Sequence, residues 1–208
     1  MPDRFNLQKM NCISCPLSCE IKPKTSLRVS FCQHYCFGTW PEGSGYFSLG
    51  IVEGVLKRSH NYLYTGCVFV DFSISYLRLF MDRRWIDYLA ETHLNIIVVC
   101  DKYLQPLANF WFKNESRITL IIYPNDHVSC ISEKIKKKFI GRGPMPVRGE
   151  SLSKLELNVL RELMAGRDCT GVASLFDIDI RSVYAAKQRV ERKMGNDVND
   201  LFRFSVAM

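Results

Sequence analysis

The apolar residues of this chain follow two kinds of pattern, and their alternation predicts the fold. Three short runs rich in β-branched and aromatic residues, at 66–72, 94–100 and 118–123, predict buried strands. Apolar residues at helical spacing predict helices before, between and after them, at 47–56, 82–91, 104–112 and 128–140. Strands that are apolar on both faces and alternate with helices indicate an α/β domain with a parallel sheet.

The clearest boundary lies at residues 141–149, where two prolines and three glycines stand within nine residues. Such a composition sustains neither a helix nor a central strand, so it predicts a linker. We expect four parts: a cysteine-rich N-terminal extension at 1–40, an α/β domain at 41–140, the linker at 141–150 and an all-helical domain at 151–208.

Residues 151–208 carry the start and stop signals of four helices. Ser153 and Glu156 have the spacing of a capping box, in which each side chain bonds to the backbone N–H of the other residue. Aspartates precede the next three helices and glycines end the first and third, at Asp168, Asp179, Asp197, Gly166 and Gly195. Two short helices joined by a tight turn predict a helix-turn-helix.

The third of these helices has one apolar face and one basic face. Between residues 180 and 195 it carries five basic side chains and one acidic one, Glu191, a net charge of +4. Arginine and lysine suit phosphates, whereas Tyr184 and Gln188 have the groups to contact base edges. The predicted DNA-binding residues are Arg181, Ser182, Tyr184, Ala185, Lys187, Gln188, Arg189, Arg192 and Lys193. The alternative is a charged helix face that only contacts solvent.

Several motifs of this domain resemble the LuxR/NarL-type helix-turn-helix. They are Leu152-Ser153-x-x-Glu156, Val159-Leu160, Ala165-Gly166, Val172-Ala173, Ile178, Ser182-Val183 and Lys193-Met194-Gly195. The resemblance covers residues 151–205 and implies a bacterial transcription regulator with a four-helix DNA-binding domain, whose last helix often mediates dimerisation. The family's usual Lys-x-His is replaced by Tyr184-Ala185-Ala186, which puts any borrowed operator in doubt. In having a lysine at position 187, the chain is similar to the Rcs-type auxiliary regulators, some of which bind DNA as heterodimers.

An α/β unit ahead of such a domain is similar to a flavodoxin-like response-regulator receiver. Phosphoryl transfer there needs an acidic pair for Mg²⁺, an acceptor aspartate, a hydroxyl and a lysine. Asp71 ends a predicted strand, but no acidic pair precedes it. Asp101 follows Cys100 at the place of the hydroxyl, and Pro124 follows Tyr123 at that of the lysine. We therefore expect a degenerate receiver-like domain that acts without phosphorylation, with Asp71 as a strand-end cap.

The run at 107–114, with the strands at 68–72 and 118–123, resembles fimbrial-operon regulators of the EcpR/MatA and FimW type. Together with the C-terminal motifs, this resemblance covers residues 45–205. It implies control of a fimbrial, surface-adhesion or virulence operon.

The nine cysteines are unevenly spaced, and five of them fall within the first 36 residues. Cys12-x-x-Cys15 and Cys32-x-x-x-Cys36 predict a four-thiolate zinc site, with an iron–sulfur cluster as the alternative. The other interpretation is an N-terminal tail whose thiols have no role, and then the protein has no cofactor. Disulfides are not expected, because a cytosolic chain keeps its thiols reduced.

Composition narrows the class of protein further. The chain has 208 residues and a net charge of +7, and no apolar run approaches the roughly 18 residues of a membrane span. The first twelve residues contain no apolar signal-peptide region, so we expect a cytoplasmic protein with no membrane partner. No nucleophile elbow or phosphate-binding glycine loop is present, and we do not expect an enzyme.

Three hypotheses follow from the sequence. The first is a regulator that binds double-stranded DNA as a homodimer or as a heterodimer, with RNA polymerase as a further candidate partner. The second is an auxiliary protein that acts by pairing with another LuxR-type regulator, motivated by Tyr184-Ala185-Ala186. The third is a regulator gated by thiolate-bound metal or by redox chemistry at the N-terminal cysteines.

Overall fold

The computed structural model describes residues 9–15, 19–22, 36–43, 45–141 and 145–205. Over these ranges the chain forms two compact units. The first unit draws its described residues from Met1–Asp71, Arg83–Cys100 and Glu115–Pro146. The second draws them from Phe72–Asp82, Asp101–Asn114 and Val147–Met208.

The first unit is built on a mixed sheet of six described strands in the order β2-β1-β3-β4-β5-β6. The strands are β1 Met10–Cys12, β2 Glu20–Ile21, β3 Phe37–Trp40, β4 Cys67–Phe72, β5 Asn95–Cys100 and β6 Ile118–Ile122. The β3–β4 and β5–β6 pairs are parallel, whereas β1 runs antiparallel to both β2 and β3. The α/β fold class and the three long strands are therefore confirmed, and the sheet is mixed because of β1.

Strands β1 to β3 fall within residues 1–40, which the sequence pattern separates as an extension. Their described residues instead belong to the sheet: Met10 is fully buried, and Trp40 stacks on Trp85 with ring centroids 6.3 Å apart. Strands of two to four residues are too short to show an alternating pattern, which is why the sequence does not reveal them.

Three helical segments cover this sheet, and their predicted positions are confirmed. The helix α1 spans residues 45–62 and changes type along its length, from α at Gly45–Gly50 to π at Ile51–Leu56, α at Lys57–Ser59 and 3-10 at His60–Tyr62. The others are α2, Arg84–Ala90, and α4, Val128–Phe139. One hydrophobic core of the unit contains Ile51 and Val55 of α1, Phe69 of β4, Ile97 of β5 and Ile135 of α4.

The second unit is helical apart from the end of β4. It contains a 3-10 helix, Ile74–Met81, and five α-helices: α3 Gln105–Asn114, α5 Lys154–Met164, α6 Cys169–Phe176, α7 Ile180–Met194 and α8 Val198–Ser205. The 3-10 helix and α3 group with the C-terminal helices through specific contacts. Trp111 of α3 donates to the carbonyl of Phe80 at 2.9 Å, and the Arg78 guanidinium lies 4.6 Å from the Phe202 ring centroid.

Among the residues that the structure describes, no helix has both the length and the apolar character needed to cross a bilayer.

Candidate nucleic-acid interface

Local capping explains why the chain folds into α5 to α8. Ser153 accepts from the Glu156 N–H while Glu156 accepts from the Ser153 N–H, which completes the predicted capping box. Asp168 accepts from the Gly171 N–H at 2.8 Å and begins α6. These side chains satisfy backbone donors that a helix start leaves without partners.

The turn between α6 and α7 is three residues long. Asp177 ends α6 with φ at 51°, in the left-handed region that aspartate tolerates better than most residues. Asp179 then accepts from the Arg181 N–H at 2.8 Å and begins α7. Gly195, with φ at 70°, ends α7. The predicted helix-turn-helix is therefore present, with the predicted caps.

One face of α7 is completely buried. Val183, Ala186 and Val190 have no exposed surface, and Met194 is 1% exposed. Val159 of α5 and Val172 of α6 pack in the same core as Val183 and Ala186. This packing fixes which side of α7 faces away from the domain.

The opposite face of α7 carries those predicted DNA-binding residues that form no ion pair with other described residues. Arg181, Ser182, Tyr184 and Gln188 are exposed, Tyr184 at 52%, and Ala185 is half-buried among them. No side-chain hydrogen bond or ion pair occupies Arg181, Tyr184 or Gln188 within the described part of the chain. Their functional groups are therefore available to a ligand.

Two other predicted residues, Arg189 and Lys193, form ion pairs with a buried glutamate. Glu156 is 2% exposed, and its carboxylate accepts from Lys193 Nζ at 2.7 Å and from Arg189 Nε at 3.0 Å. Lys193 also donates to the carbonyl of Ser151 at 2.9 Å. Burial alone would raise the pKa of Glu156, but the hydrogen bonds from Lys193, the Ser153 backbone and Arg189 outweigh it and lower this pKa. Arg189 and Lys193 therefore fasten α7 to α5.

The remaining two cations form weaker pairs. Arg192 makes a bidentate ion pair with Glu150, at 3.0 and 3.1 Å, although both side chains are more than half exposed. Lys187 lies 3.5 Å from Glu191, one turn further along the same helix. The exposed Arg192–Glu150 pair contributes little stability and exchanges readily for another anion, whereas the Lys187 and Glu191 side chains are 27% and 23% exposed.

Glu150 is held in place by a residue that sequence reasoning missed. Asn109 of α3 is fully buried, and its Nδ2 donates to the carbonyls of Arg148 and Glu150, both at 2.7 Å. Pro106 accepts from the Leu152 N–H at 3.0 Å. The segment 147–152, which the sequence predicts as linker and domain start, is therefore held to α3 by hydrogen bonds. The sequence gives one sign of this structural role, an asparagine that stands between apolar residues. It does not indicate which groups the asparagine bonds to.

The four cysteines predicted to bind metal divide into three cases. Cys12 and Cys36 are buried with their Sγ atoms 3.9 Å apart, and hydrogen bonding to Cys36, and then to Ser14, lowers the pKa of Cys12 below its ordinary value. Cys15 is exposed, and Cys32 lies outside the described residues. Over the described ranges, no three His, Cys, Asp or Glu side chains are arranged to hold a metal ion.

The receiver-like positions are occupied by structural contacts. Asp71 is half-buried as the second-to-last residue of β4. Asp101 accepts from the backbone N–H groups of Ile74 and Leu104, at 2.7 and 2.8 Å. Burial raises the pKa of Asp101 despite these bonds. Asp101 therefore organises the backbone that follows β5.

Comparison with known proteins identifies the family. The model of the EcpR N-terminal domain matches residues 11–139, more than half of the chain. The uncharacterized protein YqeH of Escherichia coli (strain K12) is 43% identical over 195 residues, covering 94% of this chain and 93% of that protein. The chain therefore belongs to the EcpR N-terminal domain family, and the predicted resemblance to EcpR-type proteins is confirmed.

Solved structures of response regulators align more distantly. The Salmonella typhimurium response regulator RcsB aligns at 16% identity with a TM-score of 0.34, covering 77% of this chain and 94% of that chain. Full-length FixJ from B. japonicum aligns at 18% identity with a TM-score of 0.27, covering 75% and 78%.

Proposed function

We propose that the protein is a transcription regulator that binds double-stranded DNA with α7 in the major groove. The observation that supports this is the exposed stripe of Arg181, Tyr184 and Gln188 on a helix whose opposite face is completely buried. An α-helix fits the major groove of B-DNA, and a helix-turn-helix presents its second helix there. The stripe combines one cation for phosphate with two hydrogen-bonding side chains for base edges.

The residues of α7 divide into two roles in this proposal. Arg181, Tyr184 and Gln188 contact DNA directly, and Arg192 and Lys187 join them when phosphate replaces Glu150 and Glu191. Arg189 and Lys193 orient the helix through Glu156. Neutralising several phosphates would make binding strongly salt-dependent, with a log–log slope of about −0.9 per phosphate.

The test uses the full chain and duplexes selected from a random-sequence library, with affinity measured by fluorescence anisotropy at several salt concentrations. Arg181→Ala should weaken binding to all duplexes alike and reduce the salt slope by about 1. Gln188→Ala should instead cost roughly 10- to 100-fold on the selected duplex and relax preference at one base pair.

Lys113→Ala is the matched control, because Lys113 is an exposed cation in the last turn of α3 and is not part of α7. It should leave both the affinity and the salt slope unchanged. If the triple variant Arg181→Ala, Tyr184→Ala, Gln188→Ala bound the selected duplex as tightly as the wild type, α7 would not be the reading helix.

A second candidate function is an auxiliary regulator that reads DNA only when paired with another LuxR-type protein. The observation that favours it is Ala185, which lies within the exposed stripe and offers no polar group for base contact. Under this alternative the chain alone retards no duplex, and retardation appears when a second purified LuxR-type regulator is added.

If the chain binds DNA without such a partner, we propose that it does so as a homodimer, whose two α7 helices read half-sites about one helical turn apart.

We also propose that DNA binding is independent of phosphorylation and that RNA polymerase is a downstream partner. Independence from phosphorylation is supported by Asp101, which follows Cys100 at the place of the receiver's hydroxyl and is engaged in backbone hydrogen bonds. Acetyl phosphate with Mg²⁺ should therefore leave the affinity for the selected duplex unchanged, and an increase would contradict this.

Membership of the EcpR N-terminal domain family supports a fimbrial, surface-adhesion or virulence operon as the target. Genome-wide mapping of bound DNA tests this directly, because it returns the operon and the half-site spacing together.

A further inference from the structure

Two thiols of the first unit lie side by side on neighbouring strands. Cys12 is the last residue of β1, and Cys36 directly precedes β3, which runs antiparallel to β1. Their Sγ atoms are 3.9 Å apart, although 24 positions separate the residues in sequence. Sheet pairing, and not sequence proximity, brings them together.

The distance suits a disulfide that forms after a small movement. A disulfide bond is about 2.05 Å long, so the two Sγ atoms must approach by about 1.9 Å. Both residues stand at strand ends, where backbone and side-chain torsions adjust with less disruption of the ladder than in a strand centre. Cys12 is 7% exposed and Cys36 is 3% exposed, so the pair is nearly closed to solvent and Cys12 is the more exposed residue.

A metal is the competing use of the same pair. Sγ atoms bound to one zinc ion, each about 2.3 Å from it in tetrahedral geometry, stand about 3.8 Å apart. Zinc requires further ligands, however, and in the described parts of the chain no third His, Cys, Asp or Glu completes such a site. A disulfide requires the pair alone, so the described residues favour it.

We propose that Cys12 and Cys36 form a dithiol site that hydrogen peroxide converts to a disulfide. The Cys12 sulfur attacks one oxygen of the peroxide, the O–O bond breaks, and the products are a sulfenic acid and one water. The Cys36 sulfur then attacks the Cys12 sulfur, the S–S bond forms, and the S–O bond breaks. The hydroxyl leaves with the Cys36 proton as a second water. Two thiols and one peroxide thus give one disulfide and two waters, and the two sulfurs supply both electrons.

The consequence of this reaction is a covalent link between β1 and β3. The bond would close a loop of 24 sequence positions and fasten the N-terminal strands to the sheet. The proposal does not depend on DNA binding, since both cysteines belong to the first unit and the predicted reading helix to the second.

The experiment uses the full chain, reduced and then treated with stoichiometric hydrogen peroxide, blocked with N-ethylmaleimide and mapped by mass spectrometry. The expected product is a peptide pair joined through Cys12 and Cys36 that has lost two hydrogen atoms and is restored by dithiothreitol. Wild-type protein is sufficient for this result, so it does not depend on the folding of any variant. Cys12→Ser and Cys36→Ser should each abolish the joined pair.

Two controls and two contrary outcomes complete the test. Cys130→Ser removes an exposed thiol of α4 and should leave the joined pair unchanged, and buried Cys67 should stay unmodified throughout. A Cys12 disulfide to any other cysteine would overturn the assignment. So would one zinc per chain in the protein as purified, lost in both serine variants, because the pair would then be part of a metal site.

Discussion

The ion-pair cluster around Glu156 gives the sharpest quantitative prediction. Glu156→Gln keeps the shape of the side chain and an oxygen for the Ser153 cap, but removes the charge that Lys193 and Arg189 face. Hydrogen bonds to a charged group contribute about 1.5–3 kcal/mol when buried. Lys193 is 13% exposed and falls in that class, whereas Arg189 at 46% counts as a surface contact of about 0.5 kcal/mol. We expect Glu156→Gln to cost about 2 kcal/mol.

Hydrogen exchange measures this loss where it occurs. A cost of about 2 kcal/mol corresponds to roughly 30-fold faster opening, so the amides of α7 should exchange roughly 30-fold faster in Glu156→Gln at pH 7. Glu162→Gln is the matched control on α5, because the partners of Glu162 are the exposed side chains of Arg161 and Arg167. It should change the exchange of α7 by less than about threefold, the effect of an exposed pair.

The pH dependence supplies an independent check. The pKa of Glu156 is lower in the folded chain than in the unfolded chain, so its ionised form stabilises the fold. This contribution is fully present above the unfolded value of about 4.3 and is lost as pH falls through the lower, folded value. The difference between wild type and Glu156→Gln should therefore shrink in acid. Equal exchange of α7 at pH 7, or a difference that widens in acid, would refute the reasoning.

Three further predictions concern the same unit. Glu150→Gln should tighten DNA binding several-fold in anisotropy titrations, because it removes the charge that pairs with Arg192 and leaves this cation available to phosphate, as the proposed function requires; weaker binding would contradict this. Asn109→Ala should remove the donor to the Glu150 carbonyl, while the Arg148 carbonyl still accepts from Gln105, and should cost about 2 kcal/mol. Trypsin should then cleave faster after Arg148, and an unchanged cleavage rate would mean that this contact does not restrain the segment. Gly195→Ala should cost about 1 kcal/mol in urea unfolding, because φ is 70° there and no side chain crowds the site; an unchanged midpoint would mean that the left-handed cap is unimportant.

Part of the site could be predicted from the sequence, because its information is local. The capping box at Ser153 and Glu156, the aspartate caps and the glycine stop at Gly195 each act within a few residues. The buried face of α7 follows from helical periodicity alone. The apolar runs likewise predict β4, β5 and β6, because a strand buried on both faces needs no partner to be identified.

Local patterns could not predict which basic residues of α7 are exposed and which form ion pairs within the domain. Arg181 and Lys193 are both basic residues of one helix, yet one is exposed and the other bonds to a carboxylate 37 positions earlier. Helical periodicity places Lys193 on the shoulder of the helix but does not indicate what lies beside it. Only the packing of α5 against α7 makes Lys193 a structural residue.

By itself, the sequence determined the helix-turn-helix, the α/β class and the family, since each depends on short-range patterns that survive without coordinates. The tertiary structure decided which side chains have partners within the chain and which are left to contact a ligand. The contacts that decide this span 24 to 41 positions: Cys12 with Cys36, Lys193 with Glu156, and Asn109 with Glu150. The physical reason is that periodicity and capping are properties of neighbouring residues, whereas ion pairing and thiol proximity depend on which elements pack together.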